Sequence, residues 1–273
     1  MPDVKRLVGR LVAAQLLIFS SSMCQDSPIE VTLLPDTALF PTFCADALAH
    51  QLSLSRVTDN REWIGTVGTS LPVGQVETED LVLQAGVGAT IFSRLIKTPG
   101  HITVSTVDYK IDLPLDLEVN GVKYRMGYGH ISSHYADDAI EQLGRTSISS
   151  VKDYVMFASS RSVGLIKGSI YAAVTHLFHN EPEVDKKWQF QIGALVAEVR
   201  LLDRLLAYGA VDIKLKQEVG WGTTQSYQAG VKLLARDQHG VRLCYTLRTG
   251  LEERGQLYNQ RTTANLLSIV LDY

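Results

Sequence analysis

Between residues 107 and 119 the chain alternates with a strict period of two. Val107, Tyr109, Ile111, Leu113, Leu115, Leu117 and Val119 occupy one set of positions, and Asp108, Lys110, Asp112, Asp116 and Glu118 the other. Successive strand side chains point to opposite faces, so this segment predicts a strand with one apolar and one charged face. The same pattern returns along the chain. Leu81, Leu83, Ala85, Val87, Ala89 and Ile91 oppose Gln84, Gly86, Gly88 and Thr90; Val211, Ile213 and Leu215 oppose Asp212, Lys214 and Lys216; Val241, Leu243, Tyr245 and Leu247 oppose Arg242, Thr246 and Arg248. No comparable helical periodicity appears after residue 50.

Twelve such segments are expected, near 47–56, 61–71, 80–95, 101–118, 122–134, 151–163, 166–178, 187–200, 204–216, 224–235, 240–249 and 262–273. Their connections alternate between short and long. The short ones include Asn120-Gly121, a type I′ hairpin signal, and Gly164-Leu165; the long ones cover 135–150, 179–186, 217–223 and 250–261. An even number of strands with short inner turns and longer outer loops is the pattern of a transmembrane, antiparallel, up-and-down β-barrel. A soluble β-sandwich alternates as well. The last segment, in which Leu267, Ile269 and Leu271 lead to Tyr273, favours the barrel because it resembles the C-terminal signal read by the outer-membrane assembly machinery. The fold class expected is therefore all-β, with the assembly machinery and outer-membrane lipids as partners and the bacterial outer membrane as the location.

The chain divides into three parts. Lys5, Arg6 and Arg10, the apolar run from Leu11 to Phe19 and the small residues Ser20 to Ser22 read as a signal peptide over 1–23. An amphipathic helix of a cytosolic protein is the alternative, and lipidation at Cys24 is disfavoured by Met23 before it. Residues 24–46, with Pro28, Pro35 and Pro41, are expected to form a periplasmic lead-in, and 47–273 the barrel. No stretch of eighteen apolar residues occurs, which excludes a spanning helix and leaves strands as the only way across a bilayer. A net charge of -3 without a Lys/Arg run argues against nucleic acid as a partner. Cys24, Cys44 and Cys244 lack the spacing of a zinc site.

The most unusual segment runs from Tyr124 to Asp138. Parity puts Tyr124, Met126 and Tyr128 on the lipid side, and carries His130, Ser132 and His134 to the same side near the outer interface. Residues two apart on one face are separated by about 6.6–7 Å, close enough for a histidine to lean onto a serine hydroxyl. Ser132 and His130 thus form a candidate nucleophile and base, with Asp137, Asp138, Ser159 and Ser160 as candidates for the third group. Against this stands the plainer reading, in which these residues end a strand at the interface and the aspartates are solvated. A metal held by His130, His134 and Asp138 is disfavoured, because histidines four apart on a strand lie about 13 Å apart.

At this motif, and at Leu39-Phe40-Pro41, Ala45-Asp46, Asp108 to Leu113 and Gly255 to Tyr258, the chain resembles an uncharacterised bacterial outer-membrane-barrel family, a domain of unknown function with a His-x-Ser-Ser-His motif. That resemblance covers most of the chain and implies fold, not activity. The strand end is also loosely similar to outer-membrane phospholipase A and to the lipid A deacylase. Only His130 and Ser132 carry over; Ser133 stands where those families have Asn. Calcium enters only as a cofactor of that hydrolase reading. Charges such as Arg94, Asp112, Arg125, Lys214 and Arg242 are expected to face the lumen, and their mixed signs suggest a plug rather than a narrow pore. Three function classes stay open, and with them whether the chain is an enzyme: a structural barrel, an interfacial lipid hydrolase and a small-solute channel.

Overall fold

The wall is built from strands that expose apolar side chains outward and bury polar ones inward. The computed structural model describes residues 29–144, 146, 150–183, 185–236 and 239–272; the signal peptide, Cys24 and Tyr273 lie outside them. A short β1 (Glu30–Leu33) precedes β2 (Leu52–Val57), β3 (Glu62–Glu77), β4 (Val82–Thr98), β5 (His101–Val119) and β6 (Val122–Tyr135). Helix α1 (Asp137–Leu143) then leads to β7 (Ser150–Val163), β8 (Gly168–Glu181), β9 (Trp188–Leu202), β10 (Leu205–Lys216), β11 (Gly222–Arg236), β12 (His239–Leu251) and β13 (Arg261–Asp272). Each strand from β2 to β13 pairs antiparallel with the next. β13 returns to β2 through Leu266↔Val57 to Leu271↔Leu52, closing a twelve-stranded barrel. Closure satisfies the backbone within the wall, which a lipid environment requires.

Two strand boundaries differ from the sequence reading. β3 continues through Pro72 to Glu77, past the end expected near residue 71, so the connection to β4 is residues 78–81. Proline is tolerated because residues 67–72 pair only with β4, and Pro72 sits at a register shift. The first barrel strand begins at Leu52 rather than 47, because the preceding residues leave the wall and enter the lumen. The Asn120-Gly121 turn forms as expected, with φ of 52° and 72°.

Outside, Ile111, Leu113, Met126, Phe157, Ile192, Leu243 and Leu267 are exposed, giving the barrel an apolar band. Leu113 lies well down β5, opposite Tyr128, and Leu113→Arg is expected to destabilise the folded barrel by about 2–4 kcal/mol, read from urea unfolding in lipid vesicles. Inside, charges pair across the wall. Arg125 donates to both carboxylate oxygens of Asp116 at 2.7 and 2.8 Å, and Asp272 receives Lys232 at 3.1 Å and Arg242 at 2.7 Å.

The lumen is filled by two segments entering from opposite ends. From the inner end, residues 39–50 of the lead-in cross it. The Leu39 N–H donates to Gln84 Oε1 at 2.7 Å, Phe40 packs on Ala158 and Ala173, and Asp46 accepts from Lys214 Nζ at 2.5 Å. His50 bridges Thr90 Oγ1 and Asp112 Oδ2, each at 2.7 Å. Gly88 makes room for it: a Cβ there would stand 2.5 Å from the His50 ring. From the outer end, the β12–β13 loop folds inward and buries Glu252, Glu253, Arg254 and Gln256. Glu253 accepts from Lys214 at 2.8 Å and Lys216 at 2.9 Å, and the Gln256 amide donates to the Ser133 carbonyl at 2.7 Å. Lys214 therefore ties both segments to the wall. The cavity left between them measures about 440 Å³.

Candidate functional site

β6 climbs to the outer rim with Gly127, Gly129 and Ser133 buried on the lumen side and Ile131 lining the cavity. His130, Ser132 and His134 consequently face outward, on the apolar side of the wall. Beyond the loop carrying α1, β7 descends beside β6 in a register that sets Asp153 directly across from His130. The contact is short: His130 Nδ1 lies 2.7 Å from Asp153 Oδ1. The Tyr128 hydroxyl donates to the same oxygen at 3.0 Å, and His179 Nδ1 meets Oδ2 at 2.9 Å.

A bulge between β7 and β8 helps to build this cluster. The register shifts between Asp153↔His179 and Tyr154↔Leu177, so an extra β8 residue is accommodated and His179 is aimed at the carboxylate. Around it the outer rim carries an aromatic belt: Tyr128 with Phe178, His176 with Trp188, and Phe190 with Trp221. Asp153 is thus held at a membrane interface, only 17% exposed and with both oxygens partnered.

The other sequence candidates go elsewhere. His134 faces outward too, but its ring sits 6.1 Å from that of Tyr109 rather than with His130. Asp137 and Asp138 form the first turn of α1, where Asp138 Oδ2 accepts the Val104 N–H at 3.3 Å. Gly144, with φ of 60°, ends that helix. Ser159 and Ser160 lie across from Tyr124 and Lys123, about 20 Å down the wall from His130. The carboxylate that meets His130 is Asp153, which was not among the candidates. Only the register across the intervening loop identifies it, and loop length does not fix that register.

The arrangement has the polarity of a hydrolytic site. A carboxylate at Nδ1 fixes the imidazole tautomer and leaves Nε2 to take a proton, while Ser132 stands two positions along on the same face. Among the described residues no hydrogen bond joins Ser132 to His130. Calcium takes six to eight oxygen ligands. The described residues form no group of three or more His, Cys, Asp or Glu that holds a metal, and Asp153 is already engaged by three side chains.

Fold and site together define a membrane β-barrel of the outer-membrane type, with an occupied lumen and a cluster of Tyr128, His130 and His179 around Asp153 on its outward face. The chain belongs to the family described as protein of unknown function DUF1207, whose profile matches residues 18–273. No curated protein matches it. Among solved structures it is similar to outer membrane phospholipase A from Escherichia coli, at 17% identity and a TM-score of 0.54, covering 88% of this chain and 98% of that one. An asparagine-to-alanine active-site mutant of the same enzyme aligns at 17% identity and a TM-score of 0.53, over 92% and 95% of the two chains. The calcium-bound dimer from Salmonella typhi aligns at 16% identity and a TM-score of 0.52, over 82% and 90%. At these identities the likeness establishes the barrel fold alone.

Proposed function

We propose that this protein is an outer-membrane lipid hydrolase, with Ser132 as nucleophile, His130 as general base and Asp153 as the group that orients the imidazole. The observation that carries the reading is the 2.7 Å contact between His130 Nδ1 and Asp153 Oδ1 on the lipid side of the wall. A paired histidine and carboxylate on the lipid side of the wall, at the membrane interface, are costly to keep there, and such groups in membrane proteins usually serve function. The phospholipase identity of the similar structures supports the same chemistry.

In the reaction, a lipid approaching laterally from the bilayer presents an ester carbonyl to Ser132. The hydroxyl oxygen attacks the carbonyl carbon as its proton passes to His130 Nε2, and Asp153 stabilises the imidazolium. The imidazolium then protonates the departing alcohol, leaving an acyl-serine. Water, deprotonated by His130, releases the fatty acid and restores the serine. The lumen takes no part in these steps.

The test is fatty-acid release by the refolded barrel in mixed phospholipid and lipid A micelles, with calcium and with chelator. Ser132→Ala and His130→Ala at matched folded fraction are expected to abolish release. Absence of release by wild type under every condition refutes the proposal and leaves a structural barrel.

A further inference from the structure

Two of the three cysteines meet at one buried cluster on the lumen side of the wall. Cys44 lies on the lead-in and Cys244 on the lumen side of β12, and both are thiols. The Cys44 sulfur lies 2.7 Å from Arg242 Nη1 and 3.6 Å from Gln228 Oε1. These contacts bracket Cys244. Arg242 precedes it by two residues on the same face of β12, and Gln228 pairs with Thr246, two residues beyond it. Directly across from Cys244 stands Gly230, which has no side chain to separate the sulfurs. Cys44 packs against the buried cluster that contains Cys244, Tyr208 and Val270.

We infer that Cys44 and Cys244 are the two halves of a disulfide that pins the lead-in inside the barrel. The proposal is independent of the hydrolase reading. It gives the lead-in a covalent hold in addition to the non-covalent contacts of Phe40 and Asp46. The bond would close a loop spanning most of the barrel sequence, the case in which a cross-link most restricts the unfolded chain.

The bond requires a disulfide oxidant, as an oxidising compartment supplies. Cys44 lines the cavity and is the more exposed of the pair, so its thiolate attacks the oxidant disulfide and expels one thiolate. The Cys244 thiolate then attacks the Cys44 sulfur of the mixed disulfide and expels the second. Two cysteine thiols lose two protons and two electrons, and the oxidant becomes a dithiol. Burial pushes the Cys44 thiol up, with the Arg242 guanidinium pulling the other way.

The experiment treats the reduced, refolded full chain with oxidised glutathione, digests it without reductant and maps linked peptides. A Cys44–Cys244 peptide is expected, formed several times faster than in urea, lost in Cys44→Ser and Cys244→Ser and kept in Cys24→Ser. The wild-type map decides the matter even if a variant folds poorly. Maleimide labelling of both thiols after prolonged oxidation of the folded barrel, or linkage through Cys24, overturns the proposal. Pinning has its own readout: an Asp46→Ala barrel is expected to stay shut in planar bilayers when oxidised and to open with dithiothreitol. Conductance that ignores the redox state overturns it.

Discussion

Asp153→Ala is expected to lower fatty-acid release by about three to four orders of magnitude while leaving the barrel folded. The carboxylate does two things for His130: it fixes Nδ1 as the protonated nitrogen and stabilises the imidazolium formed when Ser132 gives up its proton. Asp153→Asn removes both. The ring keeps its orientation but loses the countercharge, and an amide NH2 donating to Nδ1 holds the tautomer whose Nε2 carries the proton, so release is expected to fall about as far as in the alanine variant. Tyr128→Phe, which removes a hydrogen bond to the same oxygen but touches neither His130 nor Ser132, is expected to cost under about tenfold. A cluster that serves only to tether three strands at the rim gives a different result. In that case all three substitutions lower the urea midpoint and none changes turnover per folded molecule.

Lys214→Ala is expected to convert a closed barrel into a conducting one. The ammonium is buried and is shared by Asp46 from the lead-in and Glu253 from the outer loop. Breaking a buried ion pair by removing one partner typically costs about 3–5 kcal/mol, because the remaining charge is left without compensation. Glu253 keeps Lys216, but Asp46 is left with the Leu48 N–H at 2.8 Å, from its own segment, and the Gln191 amide at 3.2 Å as its contact with the wall, so the lead-in is the segment expected to withdraw. Single-molecule conductance in planar bilayers with dithiothreitol present checks this, with wild type closed and Lys214→Ala open; a reduced variant as tight as wild type shows that packing around Phe40 suffices.

Acid tests the outer loop in the same assay. Burial pushes its carboxyls up, but Arg254 beside Glu252, and Lys214 and Lys216 beside Glu253, outweigh that effect. Glu252 is held at about 2 and Glu253 well below the usual carboxylate range. A carboxylate with a depressed folded-state pKa stabilises the closed form above its unfolded value and loses that contribution as pH falls through the folded one. The loop is therefore expected to stay seated at pH 4 and to release only near pH 2. Opening at pH 4–5 contradicts the assignment of these ion pairs.

The wall of this barrel was legible from residue parity. A closed sheet between lipid and a polar lumen obliges every strand to alternate, and segments such as Val107 to Val119 carry that obligation in full. Parity also placed His130 and Ser132 on the outward face without any tertiary information. It did not place the lead-in, read as a periplasmic segment ahead of a strand starting at 47. The contacts that draw residues 39–50 inward are made with Gln84, Asp112, Arg125, Gln191 and Lys214, on five different strands. No local pattern in Phe40 to His50 records them. The inward fold of the β12–β13 loop is hidden for the same reason, since a Glu-Glu-Arg run reads as a solvated turn until the lumen lysines are placed around it.

By itself the sequence determined the strand count, the two faces of the wall and the outward direction of the histidine-serine pair, because alternation is a one-residue rule that needs only the neighbours. Tertiary structure decided what those faces meet. It set the register across the α1 loop that puts Asp153 beside His130, the bulge that aims His179 at the same carboxylate, and the docking of two chain segments onto Lys214. Register and docking are settled by contacts among residues far apart in the chain, whose energies exist only once the barrel has closed.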